Sequence, residues 1–428
     1  MDDATRRRHL VRAVAASAVG TTIEWYDFFL YGVAAATVFP QKFFPQSDPF
    51  TGQLLSFSTF FIGFAARPLG AALFGHFGDR VGRKALLIIT IMMMGVATVG
   101  IGLIPSYDVI GVWGAVLLIV ARVFQGISVG GEWSGSVLMA GEWADPKRRG
   151  FTTSFAQFGA PAGMVLANGA LALVTMMTTD QQFLDWAWRV PFLVSVVLVF
   201  VGLYIRIGVL ETPVFESLKA RGAVRKAPLV EVVRKNWREI ALTARLRTGQ
   251  QVDFYIFTTY IITYATQQLG FSRSMILSFV MLQALLSTMV TPFFGHLSDV
   301  YGRRRVVAIG CVIMAIYPFI YFGLLDMRST TLAFVAVFFA LPLHDMQYAP
   351  QAALISESFP GSLRYSGSSL GYQLASITAG GPAPIIAVLL YQRFGSSRAV
   401  AVYMAICAVI SLVCVFALKE RAGTLDQQ

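Results

Sequence analysis

The run GHFGDRVGRK, from Gly75 to Lys84, recurs 220 residues later as GHLSDVYGRR, from Gly295 to Arg304, with five of ten positions identical. A second echo agrees with it. Glu142, seven residues before Arg149, returns 215 residues on as Glu357, seven residues before Arg364. Two matching spacings imply a parallel duplication of one half of the chain, and each copy of the motif is flanked by apolar stretches. Such a duplication is a transporter architecture, with the site between the halves near the bilayer midplane.

Outward from the repeat, apolar windows and their turn residues predict helices near 12–38, 52–76, 84–104, 109–142, 150–178 and 187–208. A second set follows near 241–268, 272–296, 304–325, 329–357, 364–390 and 398–418. The expected fold class is therefore an all-α membrane protein with twelve transmembrane helices in two six-helix pseudo-repeats. The N-terminal half takes residues 1–208, a charged and partly helical cytoplasmic linker 209–240, and the C-terminal half 241–428.

The composition agrees. Of 428 residues, 56% are apolar and 13% charged, against about a quarter charged in soluble domains. Stretches such as Val190 to Ile205 contain no charge at all. The net charge of +11 does not mark a nucleic-acid binder, because the basic residues form short clusters between apolar segments rather than one face. Counted in alternate loops, Lys and Arg number 23 on the side of the N-terminus and 6 on the other. Both termini are thus expected in the cytoplasm, in a multi-pass protein of the bacterial cytoplasmic (inner) membrane. The basic N-terminus leads into an apolar helix without a small-residue cleavage site, so the first helix is expected to be retained. Cys311, Cys407 and Cys414 fall in apolar segments without ligand spacing and read as reduced, buried thiols; no metal and no cofactor are expected.

Residue by residue, the chain resembles the major facilitator superfamily. The repeated turn, RVFQG from Arg122 to Gly126 and the central linker are similar to superfamily features. Narrower signals resemble the metabolite:proton symporter family: GTTIEWYDFFLYG from Gly20 to Gly32, GGEW from Gly130 to Trp133 and ESFPGSLRYSG from Glu357 to Gly367. Within it, MMTTDQQFLDW from Met176 to Trp186, YATQQLG from Tyr264 to Gly270 and the triplet His344, Asp345, Met346 resemble the bacterial shikimate-carrying branch. The resemblance spans essentially the whole chain. It implies transport of an organic acid or zwitterion with protons, and a latch at the repeated turn.

An ionisable group inside a span is costly, about 2.5 to 3.5 kcal/mol at the helix centre, so each needs a partner or a wet cavity. Glu24, Asp27 and Tyr31 are spaced i, i+3 and i+7 and share one face of the first helix, expected to line the cavity. One carboxylate would exchange the coupling proton; the alternative is a permanent ion pair. Arg122, Gln125 and Glu132 share a face of the fourth helix. Arg122 could fork onto a substrate carboxylate or onto the coupling acid, with a salt bridge to Glu132, Glu24 or Asp27 as its alternative. Arg67, before Pro68, is the same kind of residue nearer the cytoplasmic end, where a structural role competes with substrate contact.

In the second half, His344, Gln347, Tyr348 and Gln351 lie on one side of the tenth helix with Asp345 about 100° away, a surface suited to a hydroxylated ligand. His344 is also a candidate proton carrier or a packed donor. Gln250, Gln251, Asp253 and Tyr255 add amide and carboxylate partners on the seventh helix, and Gln157 and Gln373 occupy related places in the repeat and are expected to reach the cavity as substrate contacts. At the repeated turn, Gly75, Gly82 and Gly302 permit tight paths, Asp79 and Asp299 can meet helix N-termini, and Arg80, Arg83 and Arg303 can face lipid or nearby acids. Its alternative is a charged topogenic loop without a gating role.

Together these readings predict a proton-coupled symporter importing a small organic acid, shikimate or a related hydroxylated cyclic carboxylate first. A dicarboxylate or aromatic acid, or a proton-driven efflux antiporter, is the alternative. A transporter-like sensor is a further class. No nucleophile and base pair, metal cluster or phosphate loop supports an enzyme. The expected partners are an organic anion, protons and membrane lipid, with the chain acting as a monomer.

Overall fold

The computed structural model describes residues 3–419, so Arg421, one of the 23 basic residues counted on the side of the N-terminus, lies outside the described residues. Among the described residues the long elements are all helical. In chain order they are α1 (Asp3–Thr37), α2 (Pro49–Val81), α3 (Arg83–Leu103), α4 (Trp113–Trp143), α5 (Arg149–Met177) and α6 (Val190–Ile207). The second six begin with α7, which runs as Trp237–Tyr255, a π-turn Ile256–Tyr260 and Ile261–Gln267. Then come α8 (Arg273–Tyr301), α9 (Arg303–Asp326) and α10 (Thr330–Ser356). The last two are α11, split into Arg364–Ala375, a π-turn Ser376–Gly380 and Ala383–Phe394, and α12 (Ser397–Ala417).

Helices suit such a chain because every backbone group is satisfied within the segment. Ten of the twelve are long and apolar enough to cross a membrane on those criteria alone; α1 and α7 are the exceptions. Their polarity is the reason. α1 carries Arg6, Arg7, Arg8, Arg12, Glu24 and Asp27, and α7 carries Arg238, Glu239, Arg245, Arg247 and Asp253. Large apolar side chains such as Leu69, Val96, Phe200, Ile316 and Phe416 are exposed on the outer surface, as a lipid-facing belt requires.

The repeated motif is shorter as a turn than expected. α2 was predicted to end at 76 and α8 at 296, yet they run to Val81 and Tyr301, and the break is one residue in each copy. Gly82 has φ +116° and Gly302 φ +93°, a backbone that only glycine adopts without strain. Gly75, by contrast, sits inside α2. A Cβ there would approach Ser366 Cα of α11 to 2.8 Å, so its smallness serves close packing rather than a turn.

Within the first six helices α1 packs on α5, α2 on α4, and α3 on α4 and α6; in the second six α8 packs on α10, α9 on α10 and α12, and α7 on α12 and α11. Across the middle, α2 meets α11 and α5 meets α8. These two crossings frame the site. The segment between α6 and α7 holds two short helices, Pro213–Ala220 and Pro228–Lys235. Its Glu211 accepts from the Lys84 backbone at 3.1 Å, which ties the segment to the Gly82 break. The face carrying it is called the linker face below.

Candidate functional site

The linker face is closed by two matching carboxylate contacts. Asp79 of α2 accepts from the backbone N–H groups of Tyr365 and Ser366 at 3.2 and 2.9 Å and from the Ser366 hydroxyl at 2.9 Å. Asp299 of α8 accepts from the backbone N–H groups of Gly150 and Phe151, both at 2.8 Å. Each carboxylate therefore crosses from one half to the helix N-terminus of the other, where unpaired N–H groups and the helix dipole favour a negative charge. One turn on, Arg83 lies 3.6 Å from Asp79 and 3.5 Å from Glu142, and Arg303 lies 3.4 Å from Asp299 and 3.0 Å from Glu357. The acids echoed in the sequence are thus the partners of the motif arginines. Glu357 is buried here, and burial pushes its carboxyl up to about 7 despite Arg303, Arg149 and Arg364 nearby. Arg80 takes no part across the halves; it is exposed and faces His76 at 3.3 Å.

Deeper, three buried arginines converge. Arg67 of α2 lies 4.6 Å over both Phe28 and Phe64, and Arg122 of α4 lies over Tyr31 at 4.2 Å and Phe28 at 4.8 Å. Arg247 of α7 lies 3.0 Å over the ring of Tyr372. All three are within electrostatic reach of Tyr255. Among the described residues none has a carboxylate in salt-bridge contact, and each keeps two buried guanidinium nitrogens without a hydrogen-bond partner. Gly63 makes room for this, since a Cβ there would collide with the Arg122 guanidinium. Aromatic faces stabilise a cation but do not neutralise it. The arrangement can accept an anion.

Two carboxylates of the first half, Glu132 and Asp27, are engaged away from that cluster. Glu132, expected to share a role with Arg122, is instead ion-paired with Arg206 of α6 and accepts from Thr90 Oγ1 at 2.6 Å and Ser136 Oγ at 3.0 Å. Arg122 makes none of the salt bridges considered for it; its Nη1 donates to Gln125 Oε1 at 3.0 Å. Asp27 is buried within the first half, accepting from Ser195 Oγ at 2.6 Å. Glu24 lies within reach of Arg67, Arg206 and Glu132 and keeps one oxygen without a partner. Tyr31 donates to Thr59 at 2.7 Å. The shared face of α1 thus splits between the arginine cluster and the packing behind it.

In the second half, Gln250 and His344 meet at 3.2 Å, and His344 Nδ1 lies 3.2 Å from Asp345. Asp345 turns away from the centre, accepting from Ser287 and Thr291 of α8. Asp253 accepts from Gln347 at 2.9 Å. Gln351 is buried with both amide atoms unpartnered, and Tyr348 lies within electrostatic reach of Arg247. Gln157 and Gln373, expected to reach the cavity, bridge the halves instead. Gln157 Nε2 donates to the Tyr348 carbonyl at 3.0 Å and Gln373 Nε2 to the Val129 carbonyl at 3.1 Å. Trp133 and Tyr372 stack between them at 3.4 Å. On the far side, Trp25 and Phe29 of α1 meet Phe254, and Phe64 meets Tyr255.

Sequence reasoning left out Arg247 and Arg206 as site residues. A signal existed for both, since each is a charge within or at the end of an apolar stretch. Among the described residues no group of three or more His, Cys, Asp or Glu could hold a metal ion.

The "Sugar (and other) transporter" family matches residues 13–227 and the "Major Facilitator Superfamily" matches residues 248–427. The chain is 40% identical over 416 residues to the shikimate transporter of Escherichia coli, covering 96% of this chain and 94% of that one. It is 33% identical over 426 residues to the proline/betaine transporter of the same organism, covering 97% and 84%. Among solved structures it is similar to the proton:xylose symporter bound to 6-bromo-6-deoxy-D-glucose, at a TM-score of 0.78 with 18% identity over 96% of each chain.

Proposed function

Because the chain belongs to the major facilitator superfamily and is a transporter rather than an enzyme, we propose that it is a proton-coupled symporter importing a hydroxylated cyclic carboxylate such as shikimate. The observation that carries this is the trio Arg67, Arg122 and Arg247, drawn from both halves, with unpartnered buried N–H groups. A buried charge without a partner is costly, and a substrate carboxylate held in a forked geometry supplies the partner. Gln250, Tyr255, His344, Tyr348 and Gln351 then offer donors and acceptors to ring hydroxyls. The 40% identity to a shikimate transporter supports the ring acid.

Glu24 and Asp27 are the carboxylates placed to carry the proton. The excess of Lys and Arg assigns the linker face, with both termini and residues 209–240, to the cytoplasm. The contacts at Asp79 and Asp299 then hold the monomer closed on that side, and breaking them opens the site inward. A second reading, a dicarboxylate, is favoured by the number of guanidiniums, since three exceed what one carboxylate balances. Uptake of labelled shikimate and of dicarboxylates into proteoliposomes under an acid-outside gradient tests both. Accumulation indifferent to a protonophore and following sodium instead refutes the coupling.

A further inference from the structure

Between the arginine cluster and the linker face, α4 and α11 form a seam whose contacts all cross from one half to the other. The Tyr365 hydroxyl donates to the Gly131 carbonyl at 2.8 Å, Ser368 Oγ to Ser134 Oγ at 3.1 Å, and Gln373 Nε2 to the Val129 carbonyl at 3.1 Å. Tyr372 stacks on Trp133 at 3.4 Å with 17° between the ring planes. Tyr372 also touches the cluster. The Arg247 guanidinium lies 3.0 Å over its ring, too near to share a face with the indole, so the ring is held between Arg247 on one side and Trp133 on the other. Trp133 is fixed in turn, because its Nε1 donates to Gln157 Oε1 at 2.7 Å. These side chains are buried. Rings stacked face to face oppose each other through their negative π faces, and a cation on the far side of one draws its π density away and relieves that opposition. The stack across the halves is therefore firmest while Arg247 keeps its charge on Tyr372.

We infer that Tyr372 and Trp133 are positioning residues that make opening of the seam depend on the charge of the bound substrate. This rests on the reading of Arg247 as a contact to a substrate carboxylate. A carboxylate on the unpartnered Nε and Nη1 of Arg247 offsets the cation and draws it from the ring. The face-to-face stack loses its support, and the seam loosens at the point nearest the site. An analogue with the same ring hydroxyls but no carboxylate leaves Arg247 on Tyr372 and the seam shut. Reciprocally, the shut seam holds Arg247 against the ring and weakens binding of the acid, so the acid binds the open form better and shifts the protein toward it.

The test places Ser134→Cys in the full-length protein with Cys311, Cys407 and Cys414 changed to serine. Ser134 is buried in the seam, so a water-soluble maleimide reaches the introduced thiol only when the seam opens, and the alkylation rate follows the open fraction. Saturating shikimate should raise that rate about fivefold, the worth of one aromatic contact. Shikimate methyl ester should leave it within about twofold. Trp133→Leu keeps Arg247 and Tyr372 but removes the stack, and it should bind shikimate while losing the difference between acid and ester. Trp133→Phe supplies a stacking ring and should restore it. Should Trp133→Leu not fold, Tyr372→Leu and Tyr372→Phe make the same comparison. Shikimate that binds without raising the rate, an ester that opens the seam as the acid does, or a full acid-specific response in Trp133→Leu or Tyr372→Leu overturns the role of the stack alone. Undiminished affinity for shikimate in Arg247→Gln overturns the carboxylate contact and the role that rests on it. A parent protein that does not bind shikimate overturns the ring-acid reading and this role with it.

Discussion

Replacing Asp79 by asparagine tests whether the cross-half contacts hold the linker face shut. The carboxylate accepts three hydrogen bonds from the start of α11 and balances Arg83 at 3.6 Å. An amide keeps one accepting oxygen and turns its NH2 toward N–H donors. At least one backbone N–H is then left without an acceptor and Arg83 without one of its acids. A lost charge-assisted bond is worth about 1.5 to 3 kcal/mol and the unsatisfied donor adds to it, while a neutral side chain is cheaper to bury. The net loss of closed-state stability is about 2 to 4 kcal/mol, or about 30- to 900-fold in the ratio of closed to open protein. Spin labels at Val81→Cys and Tyr301→Cys, exposed at the linker-face ends of α2 and α8, read that ratio once Cys311, Cys407 and Cys414 are changed to serine. Asp79→Asn should move the distance distribution toward longer separations, and Asp299→Asn should do so comparably. A distribution unchanged in both would falsify the view that these carboxylates lock the face.

Arg247→Gln should weaken binding of the acid by about tenfold or more while protein abundance stays near normal, because it removes an unpaired buried charge rather than half of an ion pair; equal loss for an uncharged analogue would argue against carboxylate contact. Arg206→Gln should instead lower the amount of folded protein, since it strands Glu132; normal abundance contradicts the structural pair. Glu24→Gln and Asp27→Asn should differ: the proton carrier loses uphill uptake but keeps exchange, and normal uphill uptake in both removes α1 from the coupling. Glu357, at about 7 in the folded protein against an ordinary value of 4.5, contributes stability that is full below the ordinary value and is lost as pH rises through 7. The loss is roughly 3 kcal/mol. The thermal midpoint should therefore fall between pH 5 and 8, and Glu357→Gln should flatten that fall.

The fold was legible because burial in lipid leaves the sequence few options. Twelve apolar stretches and a repeated motif suffice, and the charged positions in α1 and α7 mark two of the helices that contribute to the buried polar centre. Helix ends were less legible. Gly75 and Gly82 look alike in the motif, yet one packs against Ser366 and the other breaks the helix, and that depends on a neighbour nearly 300 residues away. The same limit applies to charge partners. Periodicity placed Arg122 and Glu132 on one face, but they are ten residues apart, about 15 Å along the axis, so Arg206 on another helix reaches Glu132 first. Gln157 and Gln373 were recognised as equivalents in the repeat, but whether an amide meets substrate or a backbone carbonyl is set by the facing helix.

That separation of charges bears on coupling. Were Asp27 ion-paired directly with Arg122, the arginine would be neutralised in the resting protein and a substrate carboxylate would have to displace the acid. Here the guanidinium keeps two free nitrogens while Asp27 accepts from the Ser195 hydroxyl of another helix. Proton and substrate therefore need not compete for one set of donors. Both can be bound at once, as the proposed symport requires and a shared site for proton and anion would oppose.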